Sequence, residues 1–127
     1  RRLMRQCDLL VLPSLFDGWG AVVNEALQAG MRVLCSTACG AASLLDGRQR
    51  GGSFDPDRPE SLRRALREWL DKGRLSPAER NAIAAWAEQT ISGAAAARYL
   101  VHIVHYTEGR EENRPAAPWA PLKETAS

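Results

Sequence analysis

The chain has no apolar run near the ~20 residues that cross a bilayer, which excludes a spanning helix from these residues. Its three cysteines, Cys7, Cys35 and Cys39, are an odd number with no C-x-x-C spacing. That argues against a disulfide framework and against the common zinc and redox patterns. Cys7 and Cys35 adjoin apolar runs and read as small core residues in a reducing compartment. Cys39, beside Gly40 in a loop, is expected to be accessible, with a structural role rather than a nucleophilic one because no histidine is near it. The only histidines, His102 and His105, are three apart with no third ligand nearby, so they read as ordinary helix residues and no metal is expected. A net charge of +2, with arginines spread along the chain, excludes a strongly basic nucleic-acid surface. There is no internal repeat. There is no initiator Met either: the chain opens on Arg1-Arg2-Leu3-Met4-Arg5, already in helical register, and is expected to be a piece of something longer.

What is present is a single ordinary domain. At 127 residues, 45% hydrophobic and 25% charged, there is enough for one modest core and too little for a two-domain enzyme. Leu3, Met4 and Cys7 fit the last two turns of an amphipathic helix. Leu9-Leu10-Val11-Leu12, closed by Pro13-Ser14, fits a strand buried on both faces of a parallel sheet. Phe16-Asp17-Gly18-Trp19-Gly20 is a turn. Val22, Val23, Ala26, Leu27 and Ala29 have helical spacing up to a capping Gly30, and Val33-Leu34-Cys35 is the next strand. This is a parallel strand–helix–strand unit with a right-handed crossover expected. Ala38 to Asp57 is looser, with a short edge strand at Ser53-Phe54.

Asp57 and Pro59 then suit a helix start, with Leu62, Ala65, Leu66, Trp69 and Leu70 forming its apolar face. Ser76-Pro77-Ala78-Glu79 reads as a capping box opening a helix with Ile83, Trp86 and Ala87 on its face. Ser92 opens a last helix ending near Tyr106, its Tyr99 to Tyr106 portion exposing apolar surface or pairing between copies. Residues 107–127, rich in charge and with Pro115, Pro118 and Pro121, read as a mobile tail. Trp119, among these prolines, is either idle or a docking point. The fold class is α/β: a partial Rossmann-like domain with a small parallel sheet of about three strands flanked by helices, and a helical C-terminal half.

Parallel sheets carry ligands at the carboxyl ends of their strands, and Asp17 to Ala21 lies there. The start of the following helix offers unpaired N–H groups and a partial positive charge. Gly18 and Gly20 keep side chains clear, so amides near Gly20, Ala21 and Val22 can hold a diphosphate without a basic residue. Asp17 stands at the mouth, and Glu25, eight residues on, can address another part of the same ligand; carboxylates suit sugar hydroxyls. Trp19 either stacks on a ligand or only fills the wall. The local pattern leaves plainer readings open: Asp17 as a helix N-cap and Glu25 as a solvated helix residue.

Pro13-Ser14, Asp17-Gly18-Trp19-Gly20, Glu25-Ala26 and Gly30 resemble the signature of group 1 (family four) retaining glycosyltransferases of the GT-B fold. There the stretch runs P-S-x-x-E-G-F-G and then E-A-x-A-x-G, with seven residues between the two acids, as between Asp17 and Glu25. The resemblance covers roughly residues 3 to 106, the C-terminal portion of a nucleotide-sugar-binding domain. It implies that the catalytic-site acids are Asp17, on the donor sugar hydroxyls, and Glu25, on the ribose. Gly18, Trp19 and Gly20 would shape the sugar pocket, and the amides of Ala21 and Val22 would meet the diphosphate.

It further implies metal-independent, retaining transfer from a nucleotide-diphosphate sugar to a glycan or lipid-linked acceptor. The implied setting is cytoplasmic, or at the inner membrane face through peripheral association of the parent enzyme. Asp17 stands for the usual Glu, and Ala42 and Ser43 for the Pro and Glu of the family's G-x-P-E, ahead of Asp46-Gly47. The basic diphosphate clamp and the N-terminal acceptor domain precede this region in the family, so the chain alone is expected to be inactive. A non-catalytic sugar-nucleotide-binding or interaction remnant of the same fold is the alternative.

Overall fold

A computed structural model describes residues 2–45 and 49–120. Strands β1 (Leu9–Leu12), β2 (Arg32–Ser36) and β3 (Gly51–Phe54) form one sheet in the order β1-β2-β3. Both pairings are parallel, Leu9 to Leu12 against Arg32 to Cys35 and Val33 to Ser36 against Gly51 to Phe54. The helices are α1 (Ala21–Gln28), α2 (Pro59–Asp71), α3 (Pro77–Ile91) and α4 (Gly93–Thr107). This is a partial Rossmann-like α/β arrangement. No helix of the described residues is long and apolar enough to cross a membrane. The backbone separates into two compact units, Arg1–Ala87 and Glu88–Ser127.

In the first unit the central strand decides the core. All five residues of β2 are buried, and strand alternation sends Leu34 to one face and Val33 and Cys35 to the other. Leu34 packs with Phe54 and Trp69, flanked by Leu9, Val11, Leu62, Ala65 and Leu66, so α2 covers that face. Val23, Ala26 and Leu27 of α1 are fully buried on the other side. Each fully buried Val or Leu side chain among these contributes roughly 1.5–3 kcal/mol.

Several expectations are corrected. β1 is half-buried throughout rather than enclosed, because it is an edge strand in this sheet. Residues Met4–Gln6 form a single 3-10 turn with nothing buried, in place of two amphipathic turns. Leu70 is 69% exposed although its spacing put it on the apolar face; Trp69 takes the buried position beside it. Arg58, not Asp57, precedes α2, with Pro59 in the first turn and no side-chain cap. The edge strand at Ser53-Phe54 is longer than its apolar content suggested, beginning at Gly51. Asp46 and Gly47 lie outside the described residues, as does Pro121.

The capping box forms as its residues dictate. Ser76 N–H donates to Glu79 Oε2 at 2.9 Å, and Glu79 N–H donates to Ser76 Oγ at 3.2 Å. The same Glu79 has a second task that its spacing did not show. Its Oε1 accepts from Arg32 Nη2 at 2.8 Å, pairing a guanidinium that β2 carries into the interior. Hydrogen bonds from the Ser76 backbone and hydroxyl, then the Arg32 charge, hold the Glu79 carboxyl below its ordinary value of 4.5.

The folded pKa is the lower one, so this stabilisation is full above 4.5 and is lost as pH falls through the folded value. Thermal melts of wild type and Glu79→Gln from neutral pH to about pH 3 are expected to show a gap that narrows once pH drops below the ordinary Glu range. A gap independent of pH would contradict the assignment.

In the second unit Ser92 caps α4, its Oγ accepting from Ala95 N–H at 3.1 Å. Leu100, Val101 and Val104 are exposed, the apolar surface expected of this helix. The chain then turns back along α4: Tyr99 Oη donates to Pro115 O at 3.4 Å, and His102 Nδ1 lies 2.9 Å from Glu111 Oε1.

Candidate functional site

After β1 the chain runs from Pro13 to Gly20 across the carboxyl ends of the strands before entering α1. The segment after β2 closes against it. Asp17 N–H donates to Ala38 O at 3.2 Å, Gly40 N–H to Asp17 O at 3.2 Å, and Ala41 N–H to Trp19 O at 2.7 Å. Asp17 and Cys39 thereby form a short parallel bridge. Cys39 Sγ adds a second donor to Trp19 O at 3.0 Å.

This corrects the expectation of an accessible Cys39. Its thiol is turned inward under the loop, with 2% of the residue exposed. Burial, and then the neighbouring Cys39, push the Cys35 thiol up to about 12, so it stays protonated at neutral pH. The loops meet closely enough to dictate composition. A Cβ on Gly40 would overlap Gly18 O, and one on Gly20 would overlap Cys39 Sγ.

Gly20 occupies the position before α1 with φ 85° and ψ 60°, a left-handed conformation that glycine adopts without strain. It contributes no side-chain cap, and Val23 N–H donates to Gly20 O at 2.9 Å. Among the described residues no acceptor is paired with the N–H groups of Ala21 or Val22. The helix start is therefore open to an acceptor from outside. The reading of Asp17 as the N-cap is overturned: its Oδ1 accepts from Trp19 N–H at 3.1 Å, two residues on, which makes a turn inside the loop.

Asp17, Gly18, Trp19 and Gly20 thus share one clasped loop, and Ala21 and Val22 stand at its exit. Glu25 is exposed on α1, one turn beyond Ala21 on the same face, ~6 Å further along the axis. Gly18 differs from its neighbours. Its φ is not positive, and nothing lies within 4 Å of where a Cβ would stand. Among the described residues nothing requires a glycine there.

Asn24, which sequence reasoning passed over, and the segment after β2 complete the frame. Trp19 Nε1–H donates to Asn24 Oδ1 at 3.1 Å, laying the indole along the first turn of α1. Cys39, Gly40 and Ala41 hold the loop from behind. Ser43, where the resemblance placed a Glu, donates from Oγ to Gly40 O at 3.0 Å. The five-residue spacing of Trp19 and Asn24 carried no signal by itself, because the chain changes from loop to helix between them.

A family model of group 1 glycosyl transferases matches residues 1–89. An uncharacterized glycosyltransferase of Methanocaldococcus jannaschii is 29% identical over 73 residues, which covers 54% of this chain and 19% of the relative. The chain therefore spans about a fifth of the length of that curated relative. The strand, clasped loop and helix described above fall within the matched region, and the chain belongs to the group 1 glycosyl transferases.

Proposed function

We propose that this chain binds a nucleotide-diphosphate sugar and forms the donor side of a glycosyltransferase that passes the sugar, with retention, to a glycan or lipid-linked acceptor. The observation that carries the reading is the clasped loop, which leads from the Asp17 carboxylate to the amides of Ala21 and Val22, unpaired among the described residues. A diphosphate accepts from those amides and is favoured by the positive end of α1. Asp17 Oδ1 keeps lone-pair capacity beyond the Trp19 bond and, with Oδ2, accepts from sugar hydroxyls. Glu25, a turn along α1, reaches the ribose.

As the glycosidic bond breaks, charge grows on the departing diphosphate, and preorganised amides stabilise it more than they stabilise the bound donor. This scheme needs no metal. The basic clamp and the acceptor face come from chain outside these residues, so the isolated chain binds donor without transferring it. The setting is the cytoplasm, or the inner membrane face reached through other parts of the parent enzyme.

One observation favours a second reading, a non-catalytic remnant. Asp17 and Ser43, which replace the family's acids, both make bonds within the loops. Calorimetric and NMR titration with UDP- and GDP-sugars decides the donor reading. Binding with a dissociation constant near ~1 mM, with the Ala21 and Val22 amides shifting, is the expected result. Silence at roughly ten times that concentration would sink it.

A further inference from the structure

Between the edge strand β3 and helix α2 lies a cavity of about 400 Å³, within the range that takes small ligands. Leu34, Leu45 and Ala65 give it an apolar wall. Ser53, Glu68 and the indole of Trp69 supply its polar side chains. Trp69 is 6% exposed, and a buried donor ordinarily has an acceptor. Its Nε1–H has none among the described residues. The π system of the ring is already taken: Lys72 Nζ lies 3.5 Å from the centroid and Arg32 Cζ 5.6 Å. What Trp69 has left to offer is that one N–H.

Gly52 keeps the space beside it open. A Cβ there would stand 3.4 Å from Trp69 Nε1, and φ at Gly52 is not positive, so the backbone does not call for glycine. Glu68 Oε1 accepts from Lys72 Nζ at 3.4 Å, which balances the carboxylate charge and leaves Oε2 to accept again. The Ser53 hydroxyl serves in either sense. The cavity therefore combines a buried donor, an acceptor with its charge balanced, and apolar walls. An ion entering it would lose water without gaining a counter-charge.

We propose that this cavity is a second ligand site, separate from the clasped loop, for an uncharged small ligand with an amide edge on a compact apolar body. The ligand carbonyl accepts from Trp69 Nε1–H, its N–H donates to Glu68, and its carbon skeleton lies against Leu34, Leu45 and Ala65. The site stands whether or not the loop binds a sugar donor.

The test is a 15N NMR titration of the chain with three six-membered rings that bury similar apolar area: δ-valerolactam, cyclohexanone and benzene. The Trp69 indole peak is assigned by its through-space contact with Gly52. The expected dissociation constant for the lactam is ~1–10 mM, with the Trp69 indole peak moving. Each hydrogen bond is worth about fivefold, so the ketone should bind about fivefold more weakly than the lactam and benzene more weakly again. Uracil and N-acetylglucosamine carry the same amide edge on a pyrimidine base and on an acetamido sugar. Binding of either, with the Trp69 peak moving, supports the site and names its source.

Gly52→Ala fills the space beside the indole N–H with an ordinary contact. It should melt within a few degrees of wild type and weaken lactam and ketone more than about tenfold. Glu68→Ala, on the exposed rim, should bring the lactam-to-ketone ratio to about one. A Trp69 peak that stays still with lactam and ketone at roughly 50 mM overturns the proposal. So does benzene binding as tightly as the lactam, or an affinity that Gly52→Ala leaves unchanged. If Gly52→Ala does not fold, Glu68→Ala decides: a ratio that falls to about one supports the amide site, and a ratio that stays near fivefold overturns it.

Discussion

Gly51→Ala is expected to remove more than ~3 kcal/mol of stability, a large share of the ~5–15 kcal/mol that holds a domain together. Gly51 opens β3 at φ 138°, a conformation that side-chain-bearing residues rarely adopt. Strain of that kind costs of order 1–3 kcal/mol by itself. A Cβ there would also overlap the carbonyl oxygen of Val33, its partner in the register of the central strand. That atom belongs to a hydrogen-bonded backbone, not to a flexible side chain, so relief requires β3 to move away from β2. Moving it breaks the Val33 N–H to Arg50 O bond at 2.9 Å and withdraws Phe54 from Leu34 and Trp69.

Urea unfolding of the variant measures the loss, and a loss under about 1 kcal/mol would show that the strand start can relax. Gly18→Ala is the matched control. With an ordinary φ and open space around it, it should change stability by no more than ~0.5 kcal/mol.

Asp17 variants separate loop building from ligand binding. The Asp17 carboxylate holds Trp19 N–H at 3.1 Å, and the amide oxygen of Asn can make the same bond. Asp17→Asn therefore keeps the turn and deletes only the charge. Its melting temperature is expected to stay within a few degrees of wild type, while affinity for the preferred UDP- or GDP-sugar falls about tenfold, the worth of a charge-assisted hydrogen bond to a hydroxyl. Asp17→Ala loses the turn as well and should fall in both measurements. Asp17→Glu restores the family's acid but sets the carboxylate one methylene too far for the turn. It should melt lower than Asp17→Asn. If Asp17 only builds the loop, Asn will bind like wild type and Ala alone will be impaired, which is the outcome the non-catalytic reading requires.

The parallel strand–helix–strand unit was legible because its signals are local. Val23, Ala26 and Leu27 recur at helical spacing, Gly30 follows the helix with φ 75°, and the capping box at Ser76 and Glu79 needs only four residues to form. The positions of Asp17, Gly18, Gly20 and Glu25 around one helix start were likewise fixed by short-range geometry, since fewer than ten residues of chain leave them little freedom. Side-chain burial was less legible. Leu70 and the half-buried β1 follow the same apolar pattern as Trp69 and β2, and periodicity does not say which strand lies at the edge of a sheet.

What the amino-acid order determined by itself is therefore the unit, its turn, its family signature and the placement of Asp17 through Glu25 along it. What only the tertiary structure decided is how that turn is held. Cys39, Gly40 and Ala41 are about twenty residues away along the chain, and they clasp Trp19 and Asp17 because the parallel pairing of β1 with β2 brings the two exits to the same end of the sheet. Arg32 and Glu79 meet across 47 positions for a related reason: β2 starts at the opposite end, where α3 begins. Contacts of that range depend on strand register and on which groups must be paired once buried, and neither is written in local spacing.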